Sequence, residues 1–395
     1  MIFWFIFIWT FICWVFLQRY SAQSVLAYDG VTEYKLPTIF CLFTFFAVIF
    51  FAAVRSDFMD SSAYITIFNR IPPYMEFFDL FVHSRDHSEL FYGLMMYFKI
   101  YIKDDPQLWF AIWAIITGIC VMKPLRDFSP DFGFSAFLFI ATTIGCQWMY
   151  NGYRQFVAVA ILFACTGLLM KNKWYIYLPV AIFLMGLAPI TNRLGLGSAP
   201  WYLNGIHQSV IIMILAYFCI QGKPFNIRVW AVAIVLVVLL FTDSLLDVID
   251  YSVADMAYSQ DIENVVEGTG TNIFRVLVEC APAALAIFAW REICRDDVPQ
   301  IIKFSANASI ITAVLYIASG FTSGIYVGRL PIYTEMYNLI LIPWLVMHPY
   351  KQISAVLKPF IVLAYTAFFI YQVNFAWGID CYGSELLGIE AGWAS

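Results

Sequence analysis

The chain of 395 residues is 62% hydrophobic and only 12% charged, with a net charge of −5 spread over scattered loops. Soluble globular domains are nearer half apolar and a quarter charged. The composition therefore excludes a soluble enzyme, and no basic surface or nucleotide loop points to a nucleic-acid partner. The apolar residues fall in runs of about 16–20, the length a helix needs to cross a hydrocarbon core. An all-α polytopic membrane protein is expected, built as a single integral-membrane domain over residues 1–395 with the bilayer as its solvent.

The first stretch, "MIFWFIFIWTFICWVFLQRY", is apolar from its second residue. It lacks the basic n-region and small-residue cleavage site of a secretory signal, so it reads as a retained helix. Helices are predicted over 3–17, 37–54, 107–122, 132–149, 153–170, 174–190, 206–221, 226–242, 272–290, 299–320, 331–347 and 355–372, about twelve crossings. The loops "MKNKW" (Lys171, Lys173), "QGKPFNIR" (Lys223, Arg228), "REICR" (Arg291, Arg295) and "HPYKQISAVLK" (Lys351, Lys358) are basic, and two helices separate each from the next. By the positive-inside rule they share the cytoplasmic side. The intervening loop 243–271 carries seven acids and no Lys or Arg, as an external acidic loop should. The nine cysteines lie mostly within apolar runs and form no C-x-x-C pair, so they read as packing residues.

Segment 55–106 decides the topology. "SELFYGLMMYFKIYIKDD" has an apolar stretch of only about 12 residues, interrupted by Lys99, and a run that short lies in the interface more readily than it spans. Lying flat, it leaves "KPLRD" (Lys123, Arg126) with the cytoplasmic loops. Residues 55–106 then form one large external loop with an interfacial helix, and both termini are external.

Four external helix ends carry polar groups in apolar settings. They are Arg55, Asp57, Asp60 and Tyr64 in "VRSDFMDSSAY"; Asn151, Arg154 and Gln155 in "NGYRQ"; His207 and Ser209 in "NGIHQS"; and Arg329, Tyr333 and Asn338 in "GRLPIYTEMYN". Taken singly, each has a plain reading: an arginine that snorkels to the headgroups, a helix cap, or a tyrosine of the interfacial belt. Taken together, three arginines, a histidine and an aspartate pair on one face suit capture of a phosphate or pyrophosphate by guanidinium forks. A carboxylate or imidazole beside them could deprotonate a hydroxyl. No zinc spacing is present, and no metal or cofactor is expected.

These motifs resemble those of the EpsG-like family of exopolysaccharide and O-antigen polymerases of the Wzy type. Arg55, Asp60 and Tyr64 match an Arg with Asp five and Tyr nine residues on. Arg154 and Gln155, followed by Ala158, match an Arg-Gln that opens a helix; His207 and Ser209 match a His-x-Ser; Arg329 and Tyr333 match an Arg with Tyr four on. Phe58 stands where the pattern has glycine, and "TNRLGLGSAPWYLNG" is an extra stretch before His207. The resemblance implies an inverting, metal-independent glycosyltransferase of the bacterial inner membrane, with a GT-C-like plan and an active site on the periplasmic face. Its substrates would be undecaprenyl-pyrophosphate-linked oligosaccharide repeat units, and a chain-length regulator would be a partner. Asp60, His207 or Asp57 would act as base. Arg55, Arg154, Gln155, Arg329, Tyr64 and Tyr333 would bind pyrophosphate and sugar. An O-antigen ligase, another lipid-linked glycosyltransferase or a polysaccharide flippase are the alternatives, with a membrane O-acyltransferase behind them.

Overall fold

The computed structural model describes residues 2–20, 23–26, 31–76, 90–142, 144–187, 201–240, 270–321, 327–376 and 382–392. In chain order the helices are α1 (Ile2–Leu17), α2 (Thr38–Ala53), α3 (Ser61–Arg70), α4 (Leu90–Tyr97, continued as a π-turn to Ile102), α5 (Pro106–Phe128), α6 (Phe132–Ala141), α7 (Tyr153–Ala164), α8 (Thr166–Met170), α9 (Trp174–Met185), α10 (Ile211–Ile220), α11 (Ile227–Leu240), α12 (Ile273–Phe288), α13 (Trp290–Ile293), α14 (Gln300–Phe321), α15 (Ile332–Glu335), α16 (Asn338–Met347) and α17 (Ser354–Tyr371). An antiparallel ribbon pairs β1 (Gln23–Leu26) with β2 (Thr32–Lys35), a small departure from the all-α expectation. The acidic loop at 243–271 falls almost wholly outside the described residues.

Every predicted segment contains a helix, and the molecule is a multi-pass helical membrane protein. Among the described residues, four helices are long and apolar enough to cross a bilayer alone, or five if the bent pair Val327–Glu335 and Asn338–Met347 counts as one. Several predicted segments are broken. The expected helix 132–149 stops at Ala141, where the Thr142 hydroxyl donates to Leu138 O at 2.7 Å, and resumes as a π-helix over Ile144–Trp148. The expected helix 331–347 bends by 51°. There the Thr334 hydroxyl bonds back to Pro331 O.

The ends of the helices are set by ordinary caps. Asp105 accepts from the N–H groups of Gln107 and Leu108, with Pro106 at the first helical position. Asp131 and Asn272 cap α6 and α12 in the same way. Asp131 also gathers neighbours, accepting from Gln18 at 3.3 Å and pairing with Lys358 at 2.9 Å. Helix α14 lies at the centre, with 83% of its apolar window buried, whereas the 351–376 helix is only 22% buried and forms the outer, lipid-facing wall.

Two contacts gather basic loops at one end of the bundle. Lys171 lies 3.9 Å from Glu33, and Arg126 Nε donates to Leu36 O at 2.8 Å, so "KPLRD" and "MKNKW" meet the same β-ribbon. At the other end the C-terminal strap 382–392 returns to the end of α2. Gly383 pairs with Asp57 in an isolated β-bridge, the Tyr382 hydroxyl donates to Phe51 O, and Ser384 Oγ donates to Val54 O.

Candidate functional site

Arg55, at the end of α2, is 0% exposed. Its Nε donates to Ser61 Oγ at 2.9 Å and its Nη1 to Ala52 O, while the guanidinium faces the rings of Tyr153 and Phe110 at 4.8 and 4.9 Å. Ser61 Oγ in turn donates to Tyr150 O. Arg55 thus clamps the turn that leads to Asp60 and has no surface left for a ligand. Within that turn Phe58 is fully buried, edge-on to Phe3 at 5.3 Å. The left-handed backbone position falls one residue later, on Met59 (φ +50°), which explains how a phenylalanine can stand where the family pattern has glycine.

Asp60 follows at the start of α3, half-buried, its N–H facing Asn151 Oδ1 at 3.4 Å. Among the described residues no side chain or backbone donor reaches its carboxylate. Asp57 is placed differently, with its backbone bridged to Gly383 of the strap.

The turn "NGYRQ" pivots on Gly152 in the left-handed region (φ +58°) and opens α7. Arg154 Nε donates to the Tyr64 hydroxyl at 3.2 Å, and its guanidinium lies over the Tyr92 ring at 4.8 Å. Tyr92 belongs to α4, so the short helix of the 55–106 segment forms one wall of the site. Gln155 is buried, and its amide donates to Arg329 O at 3.0 Å, joining the second arginine segment to the first. Arg329 itself is half-buried, and among the described residues its guanidinium has no hydrogen-bond or ion-pair partner.

His207 reaches this group because two glycines let the chain cross. A Cβ on Gly186 (φ +79°) would stand 2.1 Å from the Asn204 backbone, and one on Gly205 (φ +67°) 2.4 Å from Gly186 N. The crossing lets the N–H groups of Ile206 and His207 bond back to Leu184 O, and Gly205 O accepts from Leu90 N of α4. His207 is buried, and its Nδ1 receives the Ser209 backbone N–H at 3.2 Å. A backbone N–H can only donate, so Nδ1 is the acceptor and the neutral ring carries its proton on Nε2. Ser209 Oγ lies 2.7 Å from the same nitrogen and 2.9 Å from the Tyr333 hydroxyl, giving a chain Tyr333–Ser209–His207. Burial first, then the charges of Arg154 and Arg329, push the His207 imidazole down to about 3, so it is neutral at any ordinary pH.

The structure therefore brings Tyr64, Arg154, Gln155, His207, Arg329 and Tyr333 together, sets Asp60 beside Asn151, seals Arg55 beneath them and turns Asp57 toward the strap. An open crevice of about 1200 Å³ lies elsewhere. Phe11, Trp14, His348, Lys351 and Lys358 line it at the basic end, and none of the predicted site residues does. One group of residues went unnoticed in the sequence: Gln147, Arg275, Glu279, Tyr316 and Glu335. Arg275 donates to Gln147 Oε1 at 2.6 Å and to the Tyr316 hydroxyl at 3.2 Å, and Tyr316 donates to Glu335 at 2.7 Å. Arg275 and Glu279, four apart near the start of a helix, were the available signal, since ionisable groups inside apolar helices are costly and functional by default.

Residues 38–377 match the model of the EpsG family. The chain belongs to the EpsG family. The EpsG match takes in every predicted site residue from Arg55 to Tyr333 and stops short of the described part of the strap. No significant match was found among curated proteins or solved structures.

Proposed function

We propose that this EpsG-family protein is a polysaccharide polymerase of the bacterial cytoplasmic membrane, moving a growing glycan from undecaprenyl pyrophosphate to an incoming lipid-linked repeat unit. The carrying observation is the convergence of Arg154 and Arg329 on a neutral His207, with the Asp60 carboxylate uncommitted nearby. In this reading Asp60 takes the proton from the acceptor hydroxyl. The hydroxyl oxygen bonds to the anomeric carbon, the bond from that carbon to the pyrophosphate oxygen breaks, and the lipid pyrophosphate leaves with the electron pair. Attack opposite the leaving group inverts the anomeric centre. Arg154 and Arg329 meet the charge that develops on the leaving group, where stabilisation raises the rate most.

The tautomer assigns His207 a different part from that of a base. Its Nε2–H is a donor, suited to a pyrophosphate oxygen, while Nδ1 is held by Ser209. Tyr333, being buried, acts through Ser209 to orient the ring. Tyr64 and Tyr92 hold Arg154 from two sides. Arg55 shapes the Asp60 turn from below. The arginines supply the positive charge, so the reaction proceeds without a metal.

The matching topology has twelve crossings in a GT-C-like arrangement, with 55–106 external and α4 at the interface. The β-ribbon contacts of Arg126 and Lys171 support this. A cysteine at Asp105 should label with an impermeant reagent from outside.

Lipid-linked intermediates test the reaction. Cells that lose this activity should accumulate single repeat units on the lipid carrier. Accumulation of full-length polymer on the carrier would instead identify a ligase, and accumulation of repeats on the cytoplasmic leaflet a flippase. Either outcome would overturn the polymerase.

A further inference from the structure

Behind the site, Gln147 sits on the π-helix that runs into "NGYRQ", and its carbonyl accepts the Asn151 N–H at 2.7 Å. Glu335 ends α15, six residues after Arg329. These two segments, which carry Arg154 and Arg329, are tied in front by Gln155 to Arg329 O. They are tied again behind by Gln147–Arg275–Tyr316–Glu335, with bonds of 2.6, 3.2 and 2.7 Å. The two ties close a ring of contacts around the arginine segments. Glu279 and Glu335 are each 1% exposed, and their carboxyl groups lie against each other. Glu335 accepts from Tyr316 at 2.7 Å, and Arg275 supplies the positive charge beside the two carboxyl groups.

We infer that Arg275 is a positioning residue for the transfer reaction: with Gln147 on one side and Tyr316 and Glu335 on the other, it fixes the spacing between the two phosphate-facing arginines. A buried charged cluster is an expensive way to hold helices together, and replacing one by apolar residues is often neutral or stabilising. What it provides that apolar packing does not is a directional link, and this one terminates on the two segments that must be held at a set distance to grip one pyrophosphate. A side chain misplaced by about 1 Å can lower a rate by about 10²-fold, so such a link has a functional consequence far from the ligand.

The inference rests on the pyrophosphate reading of Arg154, so the experiment measures binding of a short-chain prenyl pyrophosphate, farnesyl pyrophosphate, to the purified full-length protein in lipid nanodiscs. Gln147→Leu removes the bridge without altering any charge. It is expected to weaken the probe about tenfold, the size of one hydrogen bond to a charged group, measured at a temperature where the variant is fully folded. Arg154→Lys should weaken it at least as much. Wild-type affinity in Gln147→Leu, with Arg154→Lys impaired, overturns the positioning role and leaves the polymerase reading standing. Wild-type affinity in both variants overturns that reading, and the inference with it. If Gln147→Leu does not accumulate, the carboxylates decide. Glu335→Gln alters the acceptor that ends the link from Tyr316 and should weaken the probe, whereas Glu279→Gln, outside that chain of bonds, should weaken it less; equal or reversed effects overturn the positioning role.

Discussion

Around Arg275 the protein supplies every counter-charge itself, whereas around Arg329 and Asp60 the described residues supply none. The two clusters are neighbours, joined through Glu335 and Gln147, yet one is closed and the other open. A closed cluster repays the desolvation of its charges with internal bonds, so its loss should appear as lost stability. An open cluster leaves its charges without internal partners, so under the proposed reaction its loss should appear as lost rate. Arg55 shows the same division within one motif: it matches the family pattern as well as Arg154 does, but its burial assigns it to the frame.

The sharpest way to break this contrast is to remove the cation from each cluster. Arg275→Met leaves a buried carboxylate without its partner and should cost about 3–5 kcal/mol, read as lower accumulation and a lower unfolding temperature in nanodiscs. Full stability in that variant would mean that the cluster is not closed.

Arg154→Lys and Arg329→Lys should do the reverse. They retain charge but lose the fork, and loss of such a contact typically lowers the rate by about 10²–10³. Polymer ladders in cells should collapse toward single repeats while protein levels stay normal, and Asp60→Asn should do the same. Near-normal ladders from Arg154→Lys would make it a snorkelling anchor.

A third measurement sharpens the electrostatics at the boundary. The His207 imidazole titrates near 3 in the folded protein and near 6.5 when unfolded. Between those values the unfolded chain binds the extra proton, so the neutral buried ring contributes stability fully above about pH 6.5, and this is lost as pH falls toward 3. The slope is up to about 1.4 kcal/mol per pH unit. From pH 7.5 to 5 the wild-type unfolding temperature should fall more than that of His207→Gln. Parallel curves would show that His207 is not held neutral. If a bound pyrophosphate offsets Arg154 and Arg329, the wild-type slope should flatten when the ligand is present.

The smallest expected effect is at Met59, whose left-handed backbone belongs to the frame. Met59→Gly relieves strain and loosens the unfolded chain, two effects that oppose each other, and the net should stay within about 1 kcal/mol. A large drop in activity at normal stability would move this turn from the frame to the site.

The apolar runs determined where the helices lie, because burying or solvating so much hydrocarbon leaves a helix as the only way to satisfy the backbone in a bilayer. The short run broken by Lys99 holds a helix over Leu90–Ile102, and the order Arg-Asp-Tyr, Arg-Gln, His-x-Ser, Arg-Tyr marked the segments that meet. Those are local properties, legible in a single stretch of chain. What each residue does there was decided by partners distant in sequence. Gln147 and Arg275 are 128 residues apart, Gln155 and Arg329 174 apart, and Ser209 and Tyr333 124 apart. The burial of Arg55, the tautomer of His207 and the bond of Tyr316 to Glu335 all depend on which side chains the fold brings within about 3 Å of one another. Hydrogen bonds are short-ranged and directional, so no periodicity or spacing along the chain encodes them.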